Sequence, residues 1–392
     1  TKLELREESL INLAWALLSQ ARGRTADSDL RKQELLEARR VLSEFLKAFS
    51  DGAYADQAAF YLGEIEQSFG DNRRAIEHFK NFLSNKSFTQ SPLRPDAVYA
   101  LAVACEDQKQ SAEAQRWYQE FLDQHSNHSL AIEVRLRLSD LLMKSDKTSE
   151  AYLVLSEISD TKDAKLETRL MDMVLLRRGA VALQLGKPDE SANHYQELLD
   201  RSPGSGSTAA DAAHGLALAW MRQGKYVEAS QMLKIVIDQI PESDRRISLR
   251  LNLADALLAQ PERALEARSL FESIATENAE SPLAARAAYN AAFMALEADQ
   301  VTEAQQWAER FLNRYPNDPL RSDVAFIAAE TLLRQGLHEG AVQAFSKLIE
   351  SDSKNKDLPL WTLRQGMALF LDGRYSQAAQ SMQPLIGQLS DP

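Results

Sequence analysis

The sequence predicts an all-α solenoid of about ten helix–turn–helix units. Three observations lead there. A small residue followed four positions later by a bulky one recurs at a near-constant interval along almost the whole chain. A glycine recurs five positions before that small residue. Ala, Leu, Glu, Gln and Arg dominate the composition while runs of Val, Ile and Thr are scarce, a balance that favours helix throughout.

The repeat is read from its anchors: Ala38, Ala75, Ala114, Ala151, Ser191, Ala229, Ala267, Ala304, Ala341 and Ala378. They open segments such as "AIEHF", "AQRWY", "ARSLF" and "AVQAF", and successive intervals are 37, 39, 37, 40, 38, 38, 37, 37 and 37 residues. Such regularity is the signature of a stacked array in which each unit buries its apolar face only against its neighbours. A second small residue lies twelve positions before the anchor, as in Gly63, Ala102, Gly179, Ala217, Ala292, Ala329 and Gly366, with Asp255 the exception in one unit. Between the two stand Gly70, Gly186, Gly224, Gly336 and Gly373. Glycine tolerates the left-handed backbone that ends a helix, so each unit reads as helix, tight turn, helix. The small residues are expected to let the paired helices approach, and the bulky residue to fill the space between units.

The elements follow in order. A long first helix over about Leu3 to Ala21 precedes the polar loop "RGRTADSD", so residues 1–50 form an atypical end unit, as a stack requires. Regular units occupy 51–202 and 203–392. The surface segment "SDTKDAK" enlarges the longest interval, and "SPGSGST" at 202–208 is the candidate hinge between the two blocks. Pro203, Pro241 and Pro316 each follow an anchor by twelve and stop the second helix. "SPL", "DPL" and "LPL" at Pro92, Pro282, Pro319 and Pro359 are expected to start the next first helix, where a missing N–H costs nothing. No polar capping helix follows "AAQSMQPLIGQLSDP", so this end is expected to pack on further chain or on another subunit.

Small–x11–Ala–x3–aromatic–x7–Pro in a two-helix unit resembles the tetratricopeptide repeat over roughly residues 3 to 386. The period is longer than that family's 34, and its first-helix tryptophan is mostly replaced. The resemblance implies a right-handed superhelix, a non-catalytic protein–protein interaction scaffold, and partner proteins or peptides bound on a concave face lined by the first helices. It further implies that residues six and three before the small residue, and one and four after it, face inward. Around Ala292 these are Arg286, Tyr289, Phe293 and Leu296; around Ala329, Asp323, Phe326, Glu330 and Leu333; around Gly366, Leu360, Leu363, Met367 and Phe370. The partner-binding candidates are thus Arg286, Tyr289, Phe293, Phe326, Glu330, Leu363, Met367 and Phe370. Earlier units present a more polar set, such as Gln57, Phe60, Glu64 and Gln67. No Lys/Asn/Arg clamp for a C-terminal carboxylate stands at these positions. "FLNRYPNDPL" (Phe311 to Leu320) is similar to repeats in envelope proteins of Gram-negative bacteria, which makes the periplasm the expected location and the cytoplasm the alternative. A cytosolic sensor domain gating an effector, or an accessory domain of a larger enzyme, are the competing functions.

Composition and motifs exclude other classes. A formal net charge of −12, with local basic clusters only as arginine pairs (Arg73-Arg74, Arg177-Arg178, Arg245-Arg246) separated by acids, repels phosphate backbones, so nucleic acid is not an expected partner. The most apolar stretch near the start, "LINLAWALL", is too short to span a bilayer. His125 and His128 lack the accompanying carboxylate or cysteine cluster of a metal site and read as loop residues. Cys105, the only cysteine, reads as a buried structural thiol. No G-x-S-x-G, phosphate-binding or dinucleotide fingerprint occurs, and no cofactor or catalytic residue is expected.

Overall fold

A computed structural model describes residues 2–26, 28–158, 168–202, 206–241 and 243–386. Among them stand twenty α-helices, two single 3-10 turns and no strand. The helices form ten hairpins. In the first half these are α1 (Lys2–Arg22) with α2 (Asp29–Ala48), α3 (Ala55–Ser68) with α4 (Asn72–Ser84), and α5 (Arg94–Asp107) with α6 (Ser111–His125). Next come α7 (Ala131–Lys144) with α8 (Thr148–Ser156), and α9 (Thr168–Gln184) with α10 (Pro188–Arg201). The second half has α11 (Ser207–Arg222) with α12 (Tyr226–Gln239), α13 (Asp244–Leu258) with α14 (Ala264–Glu277), and α15 (Ala284–Glu297) with α16 (Val301–Arg314). It ends with α17 (Arg321–Arg334) and α18 (His338–Ser351), then α19 (Leu358–Leu371) and α20 (Tyr375–Ile386). The chain divides into two compact units, 1–194 and 195–392, the division falling within α10. The expected loop at 159–165 lies outside the described residues, as do 203–205 of the expected hinge and 387–392 of the C-terminal segment.

The anchors explain the packing. All ten are buried: Ala38, Ala75 and Ala114 are fully enclosed, for example, and Ser191 turns its hydroxyl onto the carbonyl of Gly179 at 2.8 Å. Phe79, Tyr118, Phe271 and Phe345 stand four residues after an anchor; Phe45, Phe82, Phe121 and Phe311 stand seven after. These eight are among the largest fully buried side chains. Anchor, +4 and +7 share one helical face, so the second helices turn a small–large–large stripe inward, except α16, whose +4 residue is Ala308. The bulky +4 residue also reaches back onto its own hairpin: a Cβ on Gly63 would lie 2.5 Å from the Phe79 ring, and Gly366 is covered by Met382. Tyr195 instead rests on Gly215 of the next hairpin, so one position serves both contacts.

Eight hairpin turns close identically. The N–H three residues past the helix bonds a carbonyl five residues back at 2.9 Å, as from Asp71 to Glu66, Gln110 to Cys105 and Leu337 to Leu332. This is the Schellman closure, which needs one left-handed residue. Gly70, Gly186, Gly224, Gly336 and Gly373 supply it with φ between 73° and 80°. Lys109, Asp146 and Asp299 supply it at the same phase with φ of 57–59° despite carrying side chains.

Between hairpins the starting prolines act differently from expectation. Ser91, His128, Ser281, Asp318 and Asn355 each begin a type I turn whose carbonyl accepts from the N–H three residues on, at 2.9–3.2 Å. Each side chain also accepts from the N–H two residues on, at 2.8–3.3 Å. Pro92, Pro282 and Pro319 occupy the second turn position, where a fixed φ is pre-set, and the helices begin two residues later. Of these four starting prolines only Pro359 lies within a first helical turn, that of α19, a place that Pro95 takes in α5 and Pro188 in α10.

Candidate functional site

In the second unit, the first helices α15, α17 and α19 converge on a cavity of about 400 Å3. The type I turns at Ser281, Asp318 and Asn355 launch them with equal phase, so positions recur every 37 residues. Tyr289 and Phe293, one turn apart on α15, stack with centroids 6.2 Å apart and planes at 23°. Phe326 packs its ring against Phe345 at 6.0 Å and is half-buried. Trp361 closes the site and is only 2% exposed, whereas Phe293 is 42% exposed and Leu360 46%. An aromatic face of that openness inside a concave site is available area, because ordinary core aromatics in this chain are covered.

Charge is distributed unevenly around the cavity. Glu330 on α17 is 3% exposed and takes two bonds from Arg364 on α19, the Nε–Oε2 one at 2.8 Å. Arg334 adds a third contact at 3.5 Å while also donating to the Leu296 carbonyl at 2.9 Å and meeting Asp299 at 3.3 Å. Both arginines are therefore committed within the fold. Asp323, Asp357 and Glu297 line the same cavity. Burial pushes the Asp323 carboxyl above the usual aspartate range, and the neighbouring Asp357 and Asp352 push the same way against Lys356. Burial likewise raises Tyr289, with Asp323 contributing.

The first unit arranges equivalent positions into a closed network. Tyr99 on α5 donates to Glu133 on α7 at 2.6 Å, and Tyr118 donates to Glu106 at 2.8 Å. Arg137 joins both carboxylates, at 3.1 Å to Glu133 and 3.4 Å to Glu106. Burial, then the bond to Glu133, pushes the Tyr99 phenol up to about 12. Next to it Arg177 grips Asp140 in a bidentate pair at 2.6 and 3.0 Å. The cavity on this face, about 380 Å3, is lined by Glu106, Glu133, Arg137 and Asp140 of these pairs, together with Lys144, Arg169 and three apolar side chains.

Repeated hairpins of this geometry have known counterparts. Tetratricopeptide-repeat family models match residues 66–129, 182–253, 295–356 and 326–388, more than half of the chain. The chain belongs to the tetratricopeptide-repeat family. Among solved structures it is similar to the C-terminal part of a tetratricopeptide-repeat protein from Cytophaga hutchinsonii, at 15% identity over 67% of this chain and 98% of that one, with a TM-score of 0.51. A tetratricopeptide-repeat protein from Parabacteroides merdae matches at 16% identity over 69% of this chain and 92% of that one, TM-score 0.44. YrrB, described as a tetratricopeptide-repeat protein with an unusual peptide-binding site, matches at 15% identity over 53% and 96%, TM-score 0.43. No curated protein matches the sequence. An all-α helical-repeat fold with a protein-interaction role is what this membership supports.

Of the eight residues expected to bind partners, the tetratricopeptide-repeat groove gathers Tyr289, Phe293, Phe326 and Glu330. Arg286 lies outside the cavity and is paired with Asp255, whose carboxyl is raised by burial and lowered by that arginine. Leu363, Met367 and Phe370 lie on α19 beyond the cavity, 39%, 39% and 56% exposed, with Phe370 edge-on to Tyr375 at 5.3 Å. Glu330 requires correction. It was expected on the open face, yet Arg364 covers it and its charge is spent internally. Leu296 lines the cavity as expected but is only 4% exposed, and Leu333, also expected inward, is 7% exposed, each packed into a buried apolar cluster. Trp361 and Arg364 were missed. Arg364 stands two positions before the small residue Gly366, as Arg137 does before Ser139 and Arg177 before Gly179. All three reach back to an acid of the preceding hairpin, so a recurring arginine at that phase was the available signal.

The remaining candidates have structural roles. His128 caps its type I turn through Nδ1, and both His125 and His128 stand edge-on to Phe121 at 5.6 and 5.7 Å. Burial lowers His125, with His128 adding to the effect. Cys105 is buried, and burial raises its thiol, the opposite of what a nucleophile requires. Among the described residues no group of three or more metal-ligating side chains converges, and no helix is long and apolar enough to cross a membrane.

Proposed function

We propose that this tetratricopeptide-repeat chain is a non-catalytic scaffold that holds a partner protein or peptide segment in the groove formed by α15, α17 and α19. One observation carries the reading: Phe293, stacked on Tyr289 above a buried Trp361, leaves 42% of its surface open inside a concave cavity. Grooves of this kind take extended segments or helices by their apolar anchors. The test places a photo-crosslinking benzoylphenylalanine at Phe293, identifies the captured protein, and measures its affinity for the Tyr289→Ala, Phe293→Ala double variant. Affinity is expected to fall by about two orders of magnitude, as for loss of two central aromatic anchors. Unchanged affinity in a double variant with native circular dichroism overturns the assignment of the site.

The setting that goes with this reading is the bacterial cell envelope, supported by the likeness of "FLNRYPNDPL" to repeats of envelope proteins. Fractionation of the native host, with the protein followed by antibody, is the check. Recovery wholly in the cytosol would favour the cytosolic regulatory alternative.

A further inference from the structure

The groove has a charge imbalance that its counterpart in the first unit lacks. There, Glu106 and Glu133 share Arg137, and Asp140 holds Arg177. In the groove, Arg334 and Arg364 are both bound to Glu330, and Glu297, Asp323 and Asp357 face the same cavity with no ion-pair partner among the described residues. Their like charges sit beside the stacked rings of Tyr289 and Phe293, and aromatic faces carry negative potential that attracts cations. Leu360, 46% exposed, supplies an apolar shelf on α19 next to them. Four carboxylates against two arginines, with Lys356 a further cation acting on Asp323, leave the lining net negative where the apolar surface lies. A small inorganic cation would use only the carboxylates and leave the rings and the leucine in water. A nucleic acid would be repelled.

We propose that the occupant of this groove is a basic segment of a partner protein. Its lysine or arginine lies over Tyr289 and Phe293 and brings its charge among Glu297, Asp323 and Asp357, while an adjacent apolar side chain covers Leu360. This rests on the groove being a docking site at all. Burial first, then Asp357 and Asp352 acting against Lys356, hold the Asp323 carboxyl above its usual range, and an incoming cation relieves the like-charge part of that displacement.

The experiment pans a phage-displayed random dodecapeptide library against the whole chain and measures a synthetic version of each selected peptide by calorimetry. Selected peptides are expected to share Lys or Arg next to an aromatic or aliphatic residue. Their affinity should fall about tenfold or more in Asp323→Asn with Asp357→Asn, in Phe293→Ala, and in about 0.5 M salt. The asparagines are near-isosteric and remove repulsion, so folding is retained and is verified by circular dichroism. Peptides without a basic consensus that lose binding to Phe293→Ala but not to the asparagine pair would overturn the charge inference and leave the groove standing. Basic peptides indifferent to both the asparagine pair and Phe293→Ala would place binding elsewhere and overturn both. A library with no enriched sequence also overturns the inference.

Discussion

Tyr99 and Tyr289 occupy the same repeat position, three residues before the small residue of their helices, yet they serve opposite ends. Six residues before the next small residue stands Glu133 in one case and Asp323 in the other; two before it stand Arg137 and Ile327. In the first unit the longer glutamate reaches the phenol at 2.6 Å and the arginine neutralises it. In the second, the carboxylate is one methylene shorter, and the position of its arginine is filled by a buried isoleucine. Tyr289 is released to stack on Phe293, and Asp323 is left without an ion-pair partner. Two substitutions at fixed phases thus turn a closed polar junction into an open aromatic pocket. The repeat supplies the coordinates, and side-chain length and charge decide whether a coordinate holds the stack together or faces a partner.

The largest expected effect concerns the arginine that still locks in the second unit. Arg364 bonds Glu330, whose side chain is 4% exposed; Arg177 bonds Asp140, whose side chain is 36% exposed. Removing Arg364 leaves the buried Glu330 carboxylate only the longer 3.5 Å contact to Arg334, whereas the partly exposed Asp140 carboxylate recovers water. Arg364→Met is therefore expected to cost about 3 kcal/mol, and Arg177→Met about 1 kcal/mol or less. In a repeat array the damage is local, so amide hydrogen exchange across α17 and α19, and across α7 and α9, reads it directly. Adding Glu330→Leu to Arg364→Met should restore most of the loss by removing the stranded carboxylate. Equal costs at the two junctions would mean that burial is not what separates them.

Much of this architecture was legible in the residues, and the failures have physical causes. The anchors and the five turn glycines follow from steric demands that few residues meet, so they show in the sequence. Lys109, Asp146 and Asp299 adopt the same left-handed turn with side chains attached. Their phase carried the information and their type concealed it, because packing of the flanking helices overrides local preference. The burial of Glu330 depended on Arg364, 34 residues downstream, and a helical face read alone cannot reveal a cover supplied by the next hairpin. Tyr289 and Phe293 stand at inward phases of α15, and the structure places both on the wall of the cavity.

A medium effect separates the two tyrosines. Tyr99→Phe removes the donor from Glu133 and should cost about 1 kcal/mol, with Arg137 remaining to limit the loss. Tyr289→Phe keeps the stacked ring and breaks no hydrogen bond to a described partner, so it should stay within about 0.5 kcal/mol. Hydrogen exchange in α5 and α15, each read in its own variant, makes the comparison. A loss at Tyr289 as large as at Tyr99 would reveal a bond that the open-pocket description lacks.

The smallest effect is one of pH, and its sign separates the pockets. Asp323 has its pKa raised by burial first and by neighbouring acids second, so the folded chain binds its proton more tightly than the unfolded chain does. Stability from this group is then fully present below the ordinary aspartate pKa and is lost as pH rises through the raised folded value. Asp323→Asn cannot lose it. The variant should match the parent chain in acid and become the more stable of the two as pH climbs towards neutrality, the gap opening across that window. Glu133 is hydrogen-bonded to Tyr99 and ion-paired with Arg137 in the first unit; Glu133→Gln removes a working partner of both and should be less stable than the parent at neutral pH. Melting curves of both variants against the parent between acid and neutral pH give two differences of opposite sign. If Asp323→Asn were also destabilised at neutral pH, the carboxylate would be holding a contact inside the fold, and the second pocket would be closed like the first.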